Sequence, residues 1–76
     1  MTLTQLHYVI TIAETKSFNK AAEKLYVSQP SLTSAIKELE KELGISIFYR
    51  NGRGAVLTND GTEFLLYAKQ IYGQYE

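Results

Sequence analysis

The sequence predicts a small, mainly α-helical domain with three short helices, a β-hairpin and a longer fourth helix. Apolar residues recur at helical spacing in four segments, residues suited to helix caps stand between those segments, and a β-branched, aromatic stretch is followed by a glycine-containing turn. The chain has 76 residues, of which 45% are hydrophobic and 21% charged. This length supports one domain with one apolar core, and it excludes a large catalytic fold with a substrate cleft.

The composition also restricts the chemistry. The sequence has no cysteine, so neither a disulfide nor a thiolate metal site can hold the core together. The single histidine, His7, has no nearby carboxylate at catalytic or metal-ligand spacing, and the turn at residues 51–54 lacks the lysine of a phosphate-binding loop. No basic N-terminal region precedes an apolar stretch, and about 18 consecutive apolar residues occur nowhere. We therefore expect a cytoplasmic protein that is neither an enzyme nor bound to a membrane, a metal or a cofactor.

The first three helices have clear boundaries. Residues 3–15 carry apolar side chains at three- and four-residue steps, which predicts the first helix. Ser17 can cap a short second helix, and Ser28 can cap a third that has Pro30 in its first turn. Gly44 suits the left-handed position that follows the end of this third helix.

A hairpin and a fourth helix complete the predicted fold. The β-branched and aromatic residues at 45–50 and the stretch 55–58 predict two short strands, joined by a turn at 51–54. Thr58 can cap the fourth helix, which has no stop signal before the last residue of the sequence.

The charges are segregated although the net charge is zero. Residues 16–37 contain four lysines and one glutamate, a local charge of +3, and two arginines follow at positions 50 and 53. Such basic zones are typical of phosphate-binding surfaces. On charge alone, however, lysines near four-residue spacing also fit an ordinary solvated helix face.

The second and third helices, with a turn of about three residues between them, predict a helix-turn-helix over residues 18–37. The outward residues of the third helix's first turns carry hydroxyl and amide groups, which pair with base edges in a major groove, and the lysine that follows favours phosphate. A merely solvated helix N-terminus is the alternative, but no acid lies between Lys24 and Lys37. Arg53, flanked by glycines, suits a wing contact to DNA, although an arginine in a turn is usually only solvated. The candidate DNA-binding residues are Ser28, Gln29, Pro30, Ser31, Thr33, Ser34, Lys37 and Arg53.

The fourth helix has an apolar stripe that extends beyond the small body it could cover. Core packing of the stripe is the alternative, and Phe64 and Leu65 are expected to pack in part against the chain's own core. Because the stripe continues to the end of the chain, however, it predicts self-association through a helical seam. The candidate dimerisation residues are Phe64, Ala68, Ile71 and Tyr75.

These residues resemble a family pattern over essentially the whole chain. The stretches 17–25 and 27–33, then Leu39-Glu40, Leu43-Gly44 and Leu57-Thr58, resemble the N-terminal DNA-binding region of LysR-type bacterial transcriptional regulators. The resemblance implies a winged helix-turn-helix at 1–58 and the start of a dimerising linker helix at 59–76. It also implies a downstream effector-binding domain, absent from this chain, that binds a small molecule in full-length members, which often form tetramers.

The resemblance also carries residue roles. It assigns base and phosphate contacts to Gln29, Pro30, Thr33 and Ser34, and the wing contact to Arg53. Ser34 stands where many members have arginine, and Asn59 where proline is common. We therefore predict a dimeric regulator that binds double-stranded DNA sequence-specifically; a winged-helix module that binds proteins is the alternative.

Overall fold

The computed structural model of the protein describes residues 1–49 and 54–75, with the side chains of all of these except residues 74 and 75. The elements follow the predicted order, and they confirm a mainly α fold with one antiparallel hairpin. They are α1 (Leu3–Thr15), α2 (Phe18–Leu25), α3 (Gln29–Leu43), β1 (Phe48–Tyr49), β2 (Val56–Leu57) and α4 (Asn59–Tyr75).

Local side chain to backbone bonds fix the helix ends. The Lys20 N–H donates to the Ser17 hydroxyl at 3.1 Å, and the Gly61 N–H donates to the Thr58 hydroxyl at 2.8 Å. Gly44 follows α3 with a φ of 71°. The two bonds confirm the predicted caps Ser17 and Thr58, because each satisfies a backbone N–H that has no partner within its helix. The φ of Gly44 confirms the predicted left-handed residue after α3.

The core lies where α1, α2 and α3 meet the hairpin. The Phe18 ring of α2 packs edge-on against the Phe48 ring of β1, with 5.5 Å between ring centroids. This contact joins the helix-turn-helix to the hairpin. The buried residues of the three helices are apolar apart from Thr11, and include Leu6, Val9, Ile12, Ala21, Ala22, Leu32, Ile36 and Leu39.

The hairpin is shorter than predicted. Among the described residues, Phe48 pairs with Leu57 and Tyr49 with Val56, and two residues on each side form strands. The residues before β1 bond back to α3 instead: the Ile45 N–H donates to the Glu40 carbonyl at 3.2 Å. The first strand therefore begins at residue 48 and not at residue 45.

Helix α4 packs back onto α1. Phe64 is 8% exposed and Ala68 is fully buried, and both belong to the chain's own core. The His7 ring of α1 stacks on the Tyr72 ring at a centroid distance of 4.9 Å, so the contact continues along α4 to that residue.

This packing corrects the prediction that Phe64 and Ala68 line an intermolecular seam. Within the described chain, the solvent-exposed face of α4 carries Leu66 and Tyr67, whose side chains are 63% and 50% exposed. Ile71 is half-buried against the core, and its role in dimerisation stays a prediction. The side chain of Tyr75 lies outside the described residues.

Candidate nucleic-acid interface

The turn between α2 and α3 has a fixed conformation. Tyr26 ends α2 with a φ of 58°, and its N–H donates to the carbonyls of Ala22 and Glu23. The next N–H, of Val27, also donates to the Ala22 carbonyl, at 3.0 Å. These bonds close the end of α2 and set the direction in which the chain enters α3.

Ser28 caps α3. Its hydroxyl accepts the Ser31 N–H at 3.2 Å and donates to the Ser31 hydroxyl at 2.8 Å. Pro30 lies in the first helical turn, where its missing N–H costs nothing. The structure thus uses the Ser28 hydroxyl for the start of the helix, while Pro30 and Ser31 are exposed beside it.

Gln29 and Thr33 form a pair one helical turn apart. The Gln29 Nε2 donates to the Thr33 hydroxyl at 2.6 Å, and both side chains are half-buried. The bond uses one of the two amide N–H groups. The other N–H and the carbonyl oxygen of Gln29 keep the donor and acceptor that adenine N7 and N6 require.

Five predicted residues form one surface of α3, which we call the recognition face. Ser34 and Lys37 are exposed, whereas Leu32 and Ile36 on the opposite side are fully buried. The helix is therefore held by its apolar side and presents its polar side outward. The recognition face consists of Gln29, Pro30, Thr33, Ser34 and Lys37.

Further basic residues precede α3. Lys16, Lys20 and Lys24 are exposed at the end of α1 and along α2. Lys24 lies 4.0 Å from the Glu14 carboxylate, but both side chains are more than half exposed, so this pair is weak. These lysines keep the positive charge that the sequence placed in this region.

The second strand of the hairpin is attached to the end of α1. The Ala55 N–H donates to the Lys16 carbonyl at 3.1 Å, and Lys16 itself has a φ of 57°. Gly54 has a φ of 98°, and a Cβ at this position would lie 2.7 Å from the same carbonyl oxygen. Only glycine fits this close approach.

The first strand is attached to α3 by Glu40. Its Oε2 accepts the N–H of Ile47 at 2.7 Å and the N–H of Phe48 at 3.3 Å. Sequence reasoning missed this role, because an acid within an acidic stretch of a helix is usually solvated. Arg53, the predicted wing contact, lies outside the described residues.

The family model of bacterial regulatory helix-turn-helix proteins of the LysR family matches residues 3–62. The chain belongs to this family. It is 44% identical over 71 residues to the transcriptional regulator CitR of Bacillus subtilis, a match that covers 93% of this chain and 24% of CitR. The chain therefore spans about a quarter of the length of this relative.

Solved structures of LysR-family proteins share the fold. The CbnR DNA-binding domain, in a complex with DNA, has a TM-score of 0.95 and 39% identity, covering 99% of this chain and 86% of that one. A full-length OxyR variant from Pseudomonas aeruginosa has a TM-score of 0.93 and 41% identity, covering 99% of this chain and 25% of that one. This LysR-family chain thus has the winged-helix fold of the family's DNA-binding domains.

The described part of this LysR-family chain contains neither a membrane-spanning helix nor a metal-binding cluster. Among residues 1–49 and 54–75, no helix combines the length and the apolar character needed to cross a bilayer. Within the same ranges, no three His, Asp or Glu side chains are grouped so that they could hold a metal ion.

Proposed function

We propose that this chain binds double-stranded DNA sequence-specifically, as the DNA-binding part of a transcriptional regulator. The recognition face enters the major groove, and the segment between β1 and β2 follows the adjacent backbone or minor groove. The observation that carries the proposal is the polar, acid-free face on a helix whose opposite side is fixed in the core. The likeness to the CbnR domain, whose structure is a complex with DNA, supports DNA binding by this fold.

The chemistry of the recognition face favours base reading over simple charge attraction. Gln29 offers an amide donor and acceptor to adenine, and the hydroxyls of Thr33 and Ser34 accept or donate to several base edges. Lys37 is the cation of this face and supplies a phosphate contact. The face therefore reads sequence through neutral groups and gains affinity through the positive charges around it.

We further propose that two copies of the chain form a dimer through α4. Two copies that pair through α4 bury the exposed Leu66 and Tyr67 and present two recognition faces to a DNA site with twofold symmetry. In the longer protein, a further domain binds a small-molecule effector, and a tetramer can form. Such a regulator works in the cytoplasm, needs no cofactor in this domain and catalyses no reaction.

A salt titration tests DNA binding against the alternative of a protein-binding module. A DNA site is first selected from random duplexes by binding to the wild-type chain. The anisotropy of a fluorescent duplex that carries this selected site is then compared with that of a scrambled duplex of the same length. We expect tighter binding to the selected site and a steep, linear fall of log affinity with log salt, because phosphate binding releases condensed counterions. An absence of duplex binding, or an affinity that salt does not change, would support the protein-binding module instead.

A further inference from the structure

Glu40 links the recognition helix directly to the hairpin. Its carboxylate lies near the C-terminal end of α3 and accepts hydrogen bonds from the N–H groups of Ile47 and Phe48. These two residues lie at the start of the wing, which is the hairpin formed by β1 and β2. Ile47 and Phe48 are 0% and 1% exposed. Water does not reach these N–H groups, so the carboxylate supplies the acceptor that they need.

The two strands of the wing are thus held by different parts of the molecule. The second strand is preceded by Ala55, which bonds to the Lys16 carbonyl at the end of α1. The first strand is held by the side chain of Glu40, which belongs to the same helix as the recognition face. Glu40 is therefore a direct link between the two surfaces that meet DNA in the proposed function.

We propose that Glu40 is a positioning residue, which sets the wing relative to the recognition face so that both reach the same DNA site. The proposal rests on the proposed DNA binding. Glu40 acts through the backbone N–H groups of Ile47 and Phe48, at the start of the hairpin, and it does not itself contact DNA. Glu40 therefore affects DNA affinity only when the recognition helix and the wing bind the same duplex.

The sign of the expected effect distinguishes this role from simple electrostatics. Removal of an acid from a DNA-binding protein ordinarily strengthens binding, since repulsion of the phosphates falls. If Glu40 positions the wing, its removal weakens binding instead. Glu38 provides the matched control, because it carries the same charge on the same helix and is exposed.

The experiment measures the affinity and the salt slope of four proteins on a selected duplex, with the folded fraction checked by circular dichroism. Glu40→Ala should bind about 5- to 10-fold more weakly, the loss expected for about one contact of 1 to 1.4 kcal/mol. Its log–log salt slope should fall by about one, because the wing's phosphate contact is lost. Glu38→Ala should bind as tightly as the wild type or more tightly, and Glu40→Gln should bind normally, since its amide oxygen still accepts.

A second variant covers the case in which Glu40→Ala unfolds. Glu40→Asp keeps the charge but withdraws the carboxylate by one methylene, so it should reproduce both the weaker binding and the lower salt slope. Wild-type affinity and slope in a folded Glu40→Asp would overturn the positioning role.

A double-mutant cycle with Arg53→Ala then tests whether Glu40 acts through the wing. Each single variant should weaken binding, and the double variant should bind about as weakly as Arg53→Ala alone. Additive losses would overturn the proposal, as would a normal Glu40→Ala beside a weakened Arg53→Ala. If the wild-type chain binds no duplex, the proposed function itself fails. The salt titration of the wild-type chain detects that outcome before any variant is measured.

Discussion

Gln29 is held in place by its own helix in the unbound chain. Its bond to Thr33, 2.6 Å long, restricts a side chain that is otherwise free to rotate, and part of the entropic cost of recognition is therefore met in the unbound protein. Ser28 has a different task, since its hydroxyl is engaged in the helix cap. Neighbouring polar residues of the same turn thus divide into one that builds the helix and one that can read a base.

Substitution of Gln29 tests base reading directly. Gln29→Ala should lose about 1–3 kcal/mol of binding free energy on a selected site and much less on random DNA, because a base-edge contact and not a phosphate contact is removed. Gln70→Ala, an exposed glutamine of α4, is the control and should leave both affinities unchanged. Equal losses on both duplexes would contradict the base-reading role.

Arg53 is the predicted wing contact, and its role is predicted from the sequence alone. Arg53→Ala should weaken binding and lower the log–log salt slope by about one, because one phosphate contact is lost. Lys41→Ala, which removes an exposed charge near the end of α3, should change the slope less. If both variants keep the wild-type slope, Arg53 does not reach the DNA backbone.

At the level of elements, the sequence predicted what depends on neighbours along the chain. Ser17, Ser28 and Thr58 were recognisable as caps because a cap requires only its own helix to form. The hydrogen bond of Glu40 to the wing was not predictable, since nothing in an acidic stretch indicates which carboxylate faces a buried N–H. The inward face of α4 was mistaken for the same reason, because Phe64 and Tyr67 are both aromatic and only the tertiary packing determines that Phe64 is the buried one.

The close approach of α4 to β1 depends on one glycine. Gly61 is buried in the first turn of α4, and a Cβ at this position would overlap the Ile47 carbonyl oxygen. The same carbonyl accepts the Thr58 N–H at 3.0 Å. The start of α4 is therefore seated against the residue whose own N–H is held by Glu40.

Two glycine substitutions in α4 should have opposite effects. Gly61→Ala should lower the free energy of unfolding by about 1–3 kcal/mol, because backbone has to move to admit the methyl group. Gly73→Ala meets no atom within 4 Å and should raise it by up to about 1 kcal/mol, since alanine favours a helix. Urea denaturation of both variants measures this, and a Gly61→Ala as stable as the wild type would show that the contact with Ile47 is not tight.

For the whole molecule, assembly depends on which side of α4 the core leaves uncovered. Phe64 and Ala68 are used within the chain, whereas Leu66 and Tyr67 are exposed large apolar residues of the same helix. Burial of these two residues in a symmetric pair would remove apolar surface from water and place two recognition helices on one duplex.

Charge introduced on this face should separate the subunits. The double substitution of Leu66 and Tyr67 by glutamate should give a folded monomer in sedimentation equilibrium, whereas the wild type is expected to dimerise. Tyr26→Glu, which changes a 95% exposed residue outside α4, should leave the dimer intact. Ala68→Glu should unfold the chain, because that position is fully buried. A wild type that stays monomeric at high micromolar concentration would contradict pairing through α4.

Selection from a pool of random duplexes tests whether the recognition face reads DNA sequence. The wild-type chain should enrich an inverted repeat, because a twofold dimer presents two copies of α3. Gln29→Ala should relax the preference at one base pair of each half-site and preserve the others. Base reading by the recognition face would be contradicted if the wild type enriches no sequence from the pool. It would also be contradicted if Gln29→Ala enriches the same motif as strongly as the wild type.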